Sequence, residues 1–146
     1  MPGFQNEAWN LWKPTLLLLD QVLRDKKWKL NWVRIHSHLG VTRSPRHSMA
    51  WVDKDTDTMM LCHFDKDTML HEIAHLPKDD AHSDAWAKRL WDLQENYLNK
   101  KECAAAHLEL TRYLSGRRIY IKKFGEKPPK YVDQVSIWVS AKPISK

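Results

Sequence analysis

Apolar residues recur at helical spacing in two long stretches of the chain. Residues 4–25 carry the first stripe, and Pro14 either starts or bends this helix because proline lacks the N–H that a helix interior uses. Ser83 is a favourable cap for a second helix with a similar stripe. The stripes consist of Trp12, Leu16, Leu19 and Leu23, and of Trp86, Leu90, Leu93 and Tyr97. Both predict helices that bury one face in a core.

A third helix is predicted over residues 101–114, with Gly116 as the residue that ends it. One face of this helix would carry Cys103, His107, Leu110 and Leu114. A buried histidine generally finds a polar partner, so we interpret His107 as a hydrogen-bonded core residue.

Alternation of apolar and polar residues predicts strands at residues 28–36, 49–52 and 59–64. The polar segment 53–57 between the last two is typical of a hairpin turn. Residues 119–122 alternate as an edge strand would, and residues 135–139 are again strand-like. This order of elements predicts an α+β fold with an N-terminal helix, a short mixed or antiparallel sheet, and further helices.

The most informative segment is His-Glu-Ile-Ala-His at residues 71–75, in a stretch with a helical pattern. On a helix, His71 and His75 project from one face, so their imidazoles can bind a single metal ion. Glu72 follows the first histidine and can reach a water bound to that metal. The motif therefore supplies two ligands and a general base, as hydrolytic zinc chemistry requires.

The boundaries of this helix follow from its flanking residues. Asp65 or Asp67 can cap its start. Pro77 disfavours helical geometry at Leu76, so we expect the helix to end there. A chain that turns at this point can return towards the metal.

A catalytic zinc needs a third protein ligand, and His82 is the favoured candidate because imidazole suits zinc well. Three nearby carboxylates are alternatives, since zinc also accepts oxygen donors: Asp79, Asp80 and Asp84. Asp84 can instead supply charge to the first helical turn or orient a ligand histidine.

The segment from residue 68 to about residue 91 resembles the SprT-like zincin metallopeptidases and their WLM and YgjP-type relatives. The resemblance rests on the 71–75 motif, on His82 after a short loop, and on Trp86 four positions later. It implies that His71, His75 and His82 bind Zn²⁺, that Glu72 is the catalytic base, and that Trp86 packs against the site.

The same resemblance implies a small zincin-like domain, in which an edge strand beside the active helix pairs with an extended substrate; residues 59–64 are the candidate. The chain departs from the family in two respects. The glycine often found around the third histidine is absent, and the zinc ribbon of SprT proper is missing, since Cys62 and Cys103 are the only cysteines.

Length and charge set the domain organisation that we expect. The 146 residues are most simply one zincin-like domain at 1–116, followed by a basic extension at 117–146 that either packs on it or trails from it. This extension has eight basic and two acidic residues, which equals the net charge of +6. Such a segment can attract nucleic acid or an acidic partner, although it contains no recognised nucleic-acid-binding motif.

Two cysteines, the lack of a signal pattern and an apolar run of only four leucines at 16–19 predict a soluble, cytoplasmic protein without a membrane partner. Three further histidines, His36, His38 and His47, are interpreted as exposed loop residues rather than a second metal cluster.

The favoured function is a zinc metallopeptidase that cleaves protein substrates, with Glu72 as general base on a zinc-bound water. The alternatives are a non-catalytic zinc-binding module that binds nucleic acid or protein through its basic end, and a hydrolase of a small amide. A hydrogen-bond donor for the developing oxyanion is also expected. The sequence leaves four candidates for it: His63, Tyr97, His107 and Tyr113.

Overall fold

The computed structural model describes residues 2–35, 50–78 and 80–130, with side chains from residue 9 onward. Within these residues five helices and three strands form an α+β fold, which confirms the predicted class. The elements are α1 (Pro2–Lys26), β1 (Trp32–Ile35), β2 (Ala50–Asp53), β3 (Thr58–Leu61), α2 (Lys66–Ile73), α3 (Asp84–Tyr97), α4 (Lys100–Leu110) and α5 (Leu114–Phe124). The predictions for His36, His38, His47, Asp79 and residues 135–139 fall outside the described residues.

The described strands form one mixed sheet in the order β1-β3-β2. β1 runs parallel to β3, whereas β2 runs antiparallel to it through the predicted hairpin turn. β3 is therefore the central strand, and the prediction that residues 59–64 form the edge strand is wrong. Alternation identifies which side chains face the core, as Met59 and Leu61 do, but it does not identify a strand's neighbours.

Helix α1 continues through Pro14 as one helix and lies against the segment that leads from β3 to α2. The Thr15 hydroxyl donates to the Phe64 carbonyl, and the Trp12 ring meets the Phe64 ring edge-on at 6.2 Å. The predicted stripe is largely buried, and α1 thereby anchors the chain just before the histidine-bearing helix. The core of the described residues also contains Met59, Leu61, Met69, Leu70, Ile73, Trp86, Leu90, Trp91 and Leu110.

The prediction for residues 101–122 needs two corrections. Helix α4 ends at Leu110, and α5 begins at Leu114, so Gly116 lies inside a helix instead of ending one. Residues 119–122 are helical and do not form an edge strand. The glycine serves a close approach: a Cβ at Gly116 would lie 2.0 Å from the Leu110 carbonyl oxygen.

The residue that does end α5 is Gly125. Its φ of 72° is left-handed, and its N–H donates to the Ile121 carbonyl, as in a typical glycine cap. Helix α5 packs on α3 and α4, and residues 117–124, placed beyond the expected domain boundary, belong to this packed helix.

Helices long and apolar enough to cross a bilayer are absent from the part of the chain that the structure describes.

Replacing Gly116 with alanine is expected to lower the free energy of unfolding by about 1–3 kcal/mol, because the added methyl group must push α5 away from the end of α4. Urea unfolding measures the change. Gly125→Asn is the control: asparagine tolerates the left-handed conformation, and the space around Gly125 is open, so its loss should be smaller. Equal stability of Gly116→Ala and the parent would contradict the close approach.

Candidate metal centre

Helix α2 carries the motif and is shorter than expected. The Asp65 carboxylate caps it by accepting from the Thr68 N–H at 2.8 Å, whereas Asp67 accepts from the Gln94 amide at 2.9 Å. The regular helix ends at Ile73, not at Leu76. The N–H groups of residues 75 and 76 donate to carbonyls three residues earlier, so the chain tightens before Pro77.

His75 therefore lies on this tight turn, just beyond the last regular residue of α2. Its ring remains close to that of His71, with 5.4 Å between the two centroids. The i, i+4 relation that the sequence predicts is preserved, although the backbone between the two histidines is only partly α-helical.

The loop from Pro77 to Ser83 is closed by Arg89 of α3. The Arg89 Nε–H donates to the Ala74 carbonyl at 2.9 Å, and its guanidinium also pairs with the Asp80 carboxylate at 2.7 Å. Burial tends to raise the pKa of Asp80. Hydrogen bonds from Arg89 and Ser83 outweigh this effect and hold that pKa below its usual value. One side chain thus connects the end of α2 to the middle of the loop.

A backbone conformation and a hydrogen bond set the position of His82. Ala81 adopts a left-handed φ of 52°, which costs a non-glycine residue roughly 1–2 kcal/mol. On the other side of the loop, the buried Ser115 hydroxyl of α5 donates to the His82 carbonyl at 2.8 Å. Helix α3 begins directly afterwards, because the Ser83 hydroxyl accepts from the Trp86 N–H at 3.1 Å.

These elements bring the three predicted histidines together. One ring nitrogen from each of His71, His75 and His82 lies within 4.8 Å of the other two, so the three residues could hold a metal ion. The Nε2 atoms of His71 and His82 are 3.2 Å apart. His82 is exposed and the other two are partly buried, so the cluster opens to solvent on the side of the loop.

Trp86 packs against the histidine cluster. Its ring is fully buried and stacks on the His75 ring, with centroids 5.3 Å apart and an interplanar angle of 15°. The indole N–H donates to the His71 carbonyl at 3.3 Å. The tryptophan that carries part of the family resemblance therefore contacts the motif directly.

The surroundings of two of the histidines favour the form that binds metals. Burial, then the neighbouring His75, His82 and Arg112, lower the pKa of His71 to about 3. Burial and Arg112 also lower the pKa of His82. Neutral imidazoles present a lone pair, and metal ions bind that form.

Glu72 lies beside the cluster with only 11% of its side chain exposed, and its Oε2 atom is 3.7 Å from the His71 Nε2 atom. Burial raises the pKa of its carboxyl to about 7. A buried carboxyl next to an imidazole of the cluster can exchange protons near neutral pH, as a general base must.

The competing oxygen ligands are engaged elsewhere. Asp80 pairs with Arg89, and Asp84 pairs with Arg118 of α5 at 2.7 Å. Asp84 thus binds neither the cluster nor a ligand histidine among the contacts of the described residues, and His82 is the third donor that the fold brings close.

The four candidates for the oxyanion donor differ in their hydrogen-bond partners and in their distance from the histidine cluster. Tyr97 donates to Asp25 at 2.7 Å, and the His63 ring accepts from the Asp65 N–H at 3.0 Å. His107 is bonded to Gln94 at 2.8 Å and stacks on Trp91, which confirms its interpretation as a core residue. The remaining candidate, Tyr113, lies beside the histidines, with its ring 4.2 Å from that of His82.

Sequence reasoning missed Arg89 and Ser115, whose side chains hold backbone carbonyls of the site. Both are distant in sequence from the atoms that they bind, and neither belongs to a local motif. A sequence offers only a weak signal for such residues, because every residue type has a main-chain carbonyl and the acceptor cannot be recognised from its residue type.

Arg89→Lys is expected to weaken metal binding at the histidine cluster about tenfold or more, because lysine keeps the charge but cannot bridge Ala74 and Asp80 as the guanidinium does. Competition with a chromophoric chelator measures the affinity. Arg24→Lys is the matched control, since Arg24 forms an exposed pair with Asp20 on α1. If both variants bind divalent metal ions like the parent, Arg89 does not hold the site.

Comparison of the chain with protein-family models found no match, and comparisons with curated proteins and with solved structures found none either. The resemblance to SprT-like zincins therefore rests on the motif, His82 and Trp86 alone. What the chain itself provides is a three-histidine cluster that could hold a metal ion, with a buried carboxyl beside it.

Proposed function

We propose that this protein is a zinc-dependent metallopeptidase of the SprT-like zincin type. In this proposal His71, His75 and His82 hold the zinc ion, and Glu72 is the general base. The observation that carries it is the convergence of three imidazoles from α2 and the following loop, next to the buried Glu72 carboxyl. Three histidines that leave room for further ligands are typical of a catalytic zinc site rather than a closed structural one.

The donor set fits zinc on chemical grounds. All three donors are imidazole nitrogens, which zinc prefers to the oxygen-rich surroundings that Ca²⁺ and Mg²⁺ need. Trp86 and Ser115 hold the backbone carbonyls of His71 and His82, so two of the donors sit on a braced main chain. Little reorganisation is needed before a metal ion binds.

At such a site zinc polarises a carbonyl group and acidifies water. Glu72 accepts a proton from the attacking water at its carboxylate and later passes it to the leaving amine. Burial raises the pKa of its carboxyl to about 7, and the positive charge of a bound zinc ion would favour the carboxylate form that accepts the proton. Its burial also keeps competing water away from that carboxylate.

An extended peptide is the substrate that the sheet would accept. β2 lies at the edge of the described sheet and packs against α2, so it replaces residues 59–64 as the candidate strand for pairing with a substrate. Lys54 in the turn after β2 donates to the Leu76 carbonyl at 2.6 Å, which ties the hairpin to the turn that carries His75.

Glu72→Gln is expected to abolish most peptide cleavage, by about 10²-fold or more, while zinc content stays at the parent level. The amide keeps the shape of the side chain but cannot accept the proton. Casein hydrolysis and metal analysis are measured together. Glu126→Gln, the same change at an exposed residue, serves as the control.

The complementary variant His75→Ala should lose both zinc and cleavage, whereas His63→Ala should keep both. Cleavage by Glu72→Gln at the parent rate would exclude Glu72 as the base. Full zinc content in His75→Ala would remove this histidine from the ligand set.

Helix α5 favours a second function, the binding of nucleic acid. Arg117, Lys122 and Lys123 are exposed on it, and Phe124 at its end is 54% exposed. Exposed cations and an exposed aromatic ring on one helix suit single-stranded nucleic acid, which offers phosphates and base faces. This function is independent of Glu72 and can coexist with cleavage.

Replacing Arg117, Lys122 and Lys123 with glutamine is expected to weaken binding of single-stranded DNA and to reduce the salt dependence by about 2 in log–log slope. Fluorescence anisotropy at several salt concentrations measures both. The control removes three cations at the end of α1 (Lys26, Lys27 and Lys29), which changes the net charge equally. Equal loss in both variants would indicate a nonspecific charge effect and not a site on α5.

A further inference from the structure

Tyr113 occupies the junction between α4 and α5, directly over the histidine cluster. It precedes the first residue of α5, and its N–H donates to the Leu110 carbonyl at 3.1 Å, which fixes the turn. Its ring centroid lies 4.2 Å from that of His82, 5.6 Å from that of His71 and 5.3 Å from that of Trp86. The ring therefore touches two of the three metal-binding candidates and the tryptophan that supports them.

The hydroxyl of Tyr113 differs from that of Tyr97. Tyr97 donates to the Asp25 carboxylate, whereas the Tyr113 hydroxyl has no hydrogen bond with any group in the described part of the chain. A polar group beside a reactive centre without a protein partner is available to a ligand. Tyr113 is only half-buried, so a ligand can reach it.

A phenol hydroxyl keeps its proton at neutral pH, so Tyr113 can donate a hydrogen bond there. The guanidinium carbon of Arg112 lies 5.9 Å from the centroid of the Tyr113 ring.

We propose that the Tyr113 hydroxyl donates a hydrogen bond to the substrate carbonyl oxygen as negative charge develops on it. This role rests on the proposed peptidase function and selects one of the four candidates that the sequence leaves open. No proton is transferred: Glu72 moves the proton, and Tyr113 stabilises the charge. An interaction that strengthens as charge develops lowers the barrier more than it improves substrate binding.

The test is Tyr113→Phe, which keeps the ring against His82 and removes only the hydroxyl. It is expected to lower kcat by about 10²-fold or more, with little change in KM and with zinc content unchanged. Tyr97→Phe makes the same chemical change at the hydroxyl bonded to Asp25, and it should leave kcat, KM and zinc content at parent values.

A second readout does not depend on turnover. Calorimetry measures how tightly the zinc-loaded proteins bind two ligands. The first is a phosphonate peptide, whose tetrahedral anion imitates the charged intermediate. The second is the uncharged parent peptide amide, whose binding is measured on the inactive Glu72→Gln background. Tyr113→Phe should weaken phosphonate binding at least tenfold and leave binding of the amide unchanged.

The outcomes separate the two proposals. If the parent cleaves peptides and Tyr113→Phe has parent kcat and phosphonate affinity, the role of Tyr113 is wrong and the peptidase proposal stands. A loss of zinc in Tyr113→Phe also overturns the proposed role of Tyr113, because the tyrosine then supports His82 structurally. A zinc-loaded parent that neither cleaves peptides nor binds the phosphonate overturns both.

Discussion

The structure of the site depends on one bifunctional contact, the guanidinium of Arg89 between the Ala74 carbonyl and the Asp80 carboxylate. It connects the end of α2 to the middle of the loop that follows. Its effect is geometric, because it fixes the distance between the turn that carries His75 and the loop that delivers His82. Both partners of the ion pair are largely shielded from water, which makes the charged contact more specific than a surface pair. The left-handed residue before His82 shows that closing the loop has a conformational cost.

Local patterns account for much of the fold. The α3 stripe, the Asp65 and Ser83 caps and the hairpin were all predictable, because each depends on side chains within a few residues of one another. The errors arise where a distant neighbour decides. Gly116 resembles a helix terminator in sequence, yet it is small because Leu110 lies against it. Residues 119–122 alternate like a strand, yet packing on α3 makes them helical, and the position of β3 within the sheet depends on pairings that alternation does not encode.

The candidate site divides in the same way. The motif predicted His71, Glu72 and His75, and spacing after a helix break pointed to His82; the fold brings the three histidines together. The sequence offered no basis for choosing among four oxyanion donors, since that choice depends on which side chains already have partners. Tyr97 and Tyr113 are chemically identical in the sequence, and only the fold distinguishes the one bonded to Asp25 from the one over His82.

The three contacts that brace the histidine cluster share one property. Arg89, Trp86 and Ser115 all donate to main-chain carbonyls, those of Ala74, His71 and His82. Every residue type has such an oxygen, so position 74 can drift during evolution, within its packing limits, without breaking the brace. For this pair the hydrogen bond would constrain the donor Arg89 and leave the residue type at position 74 unconstrained. Divergent chains can therefore keep the hydrogen bond between residues 89 and 74 without any covariation between the residue types at these two positions.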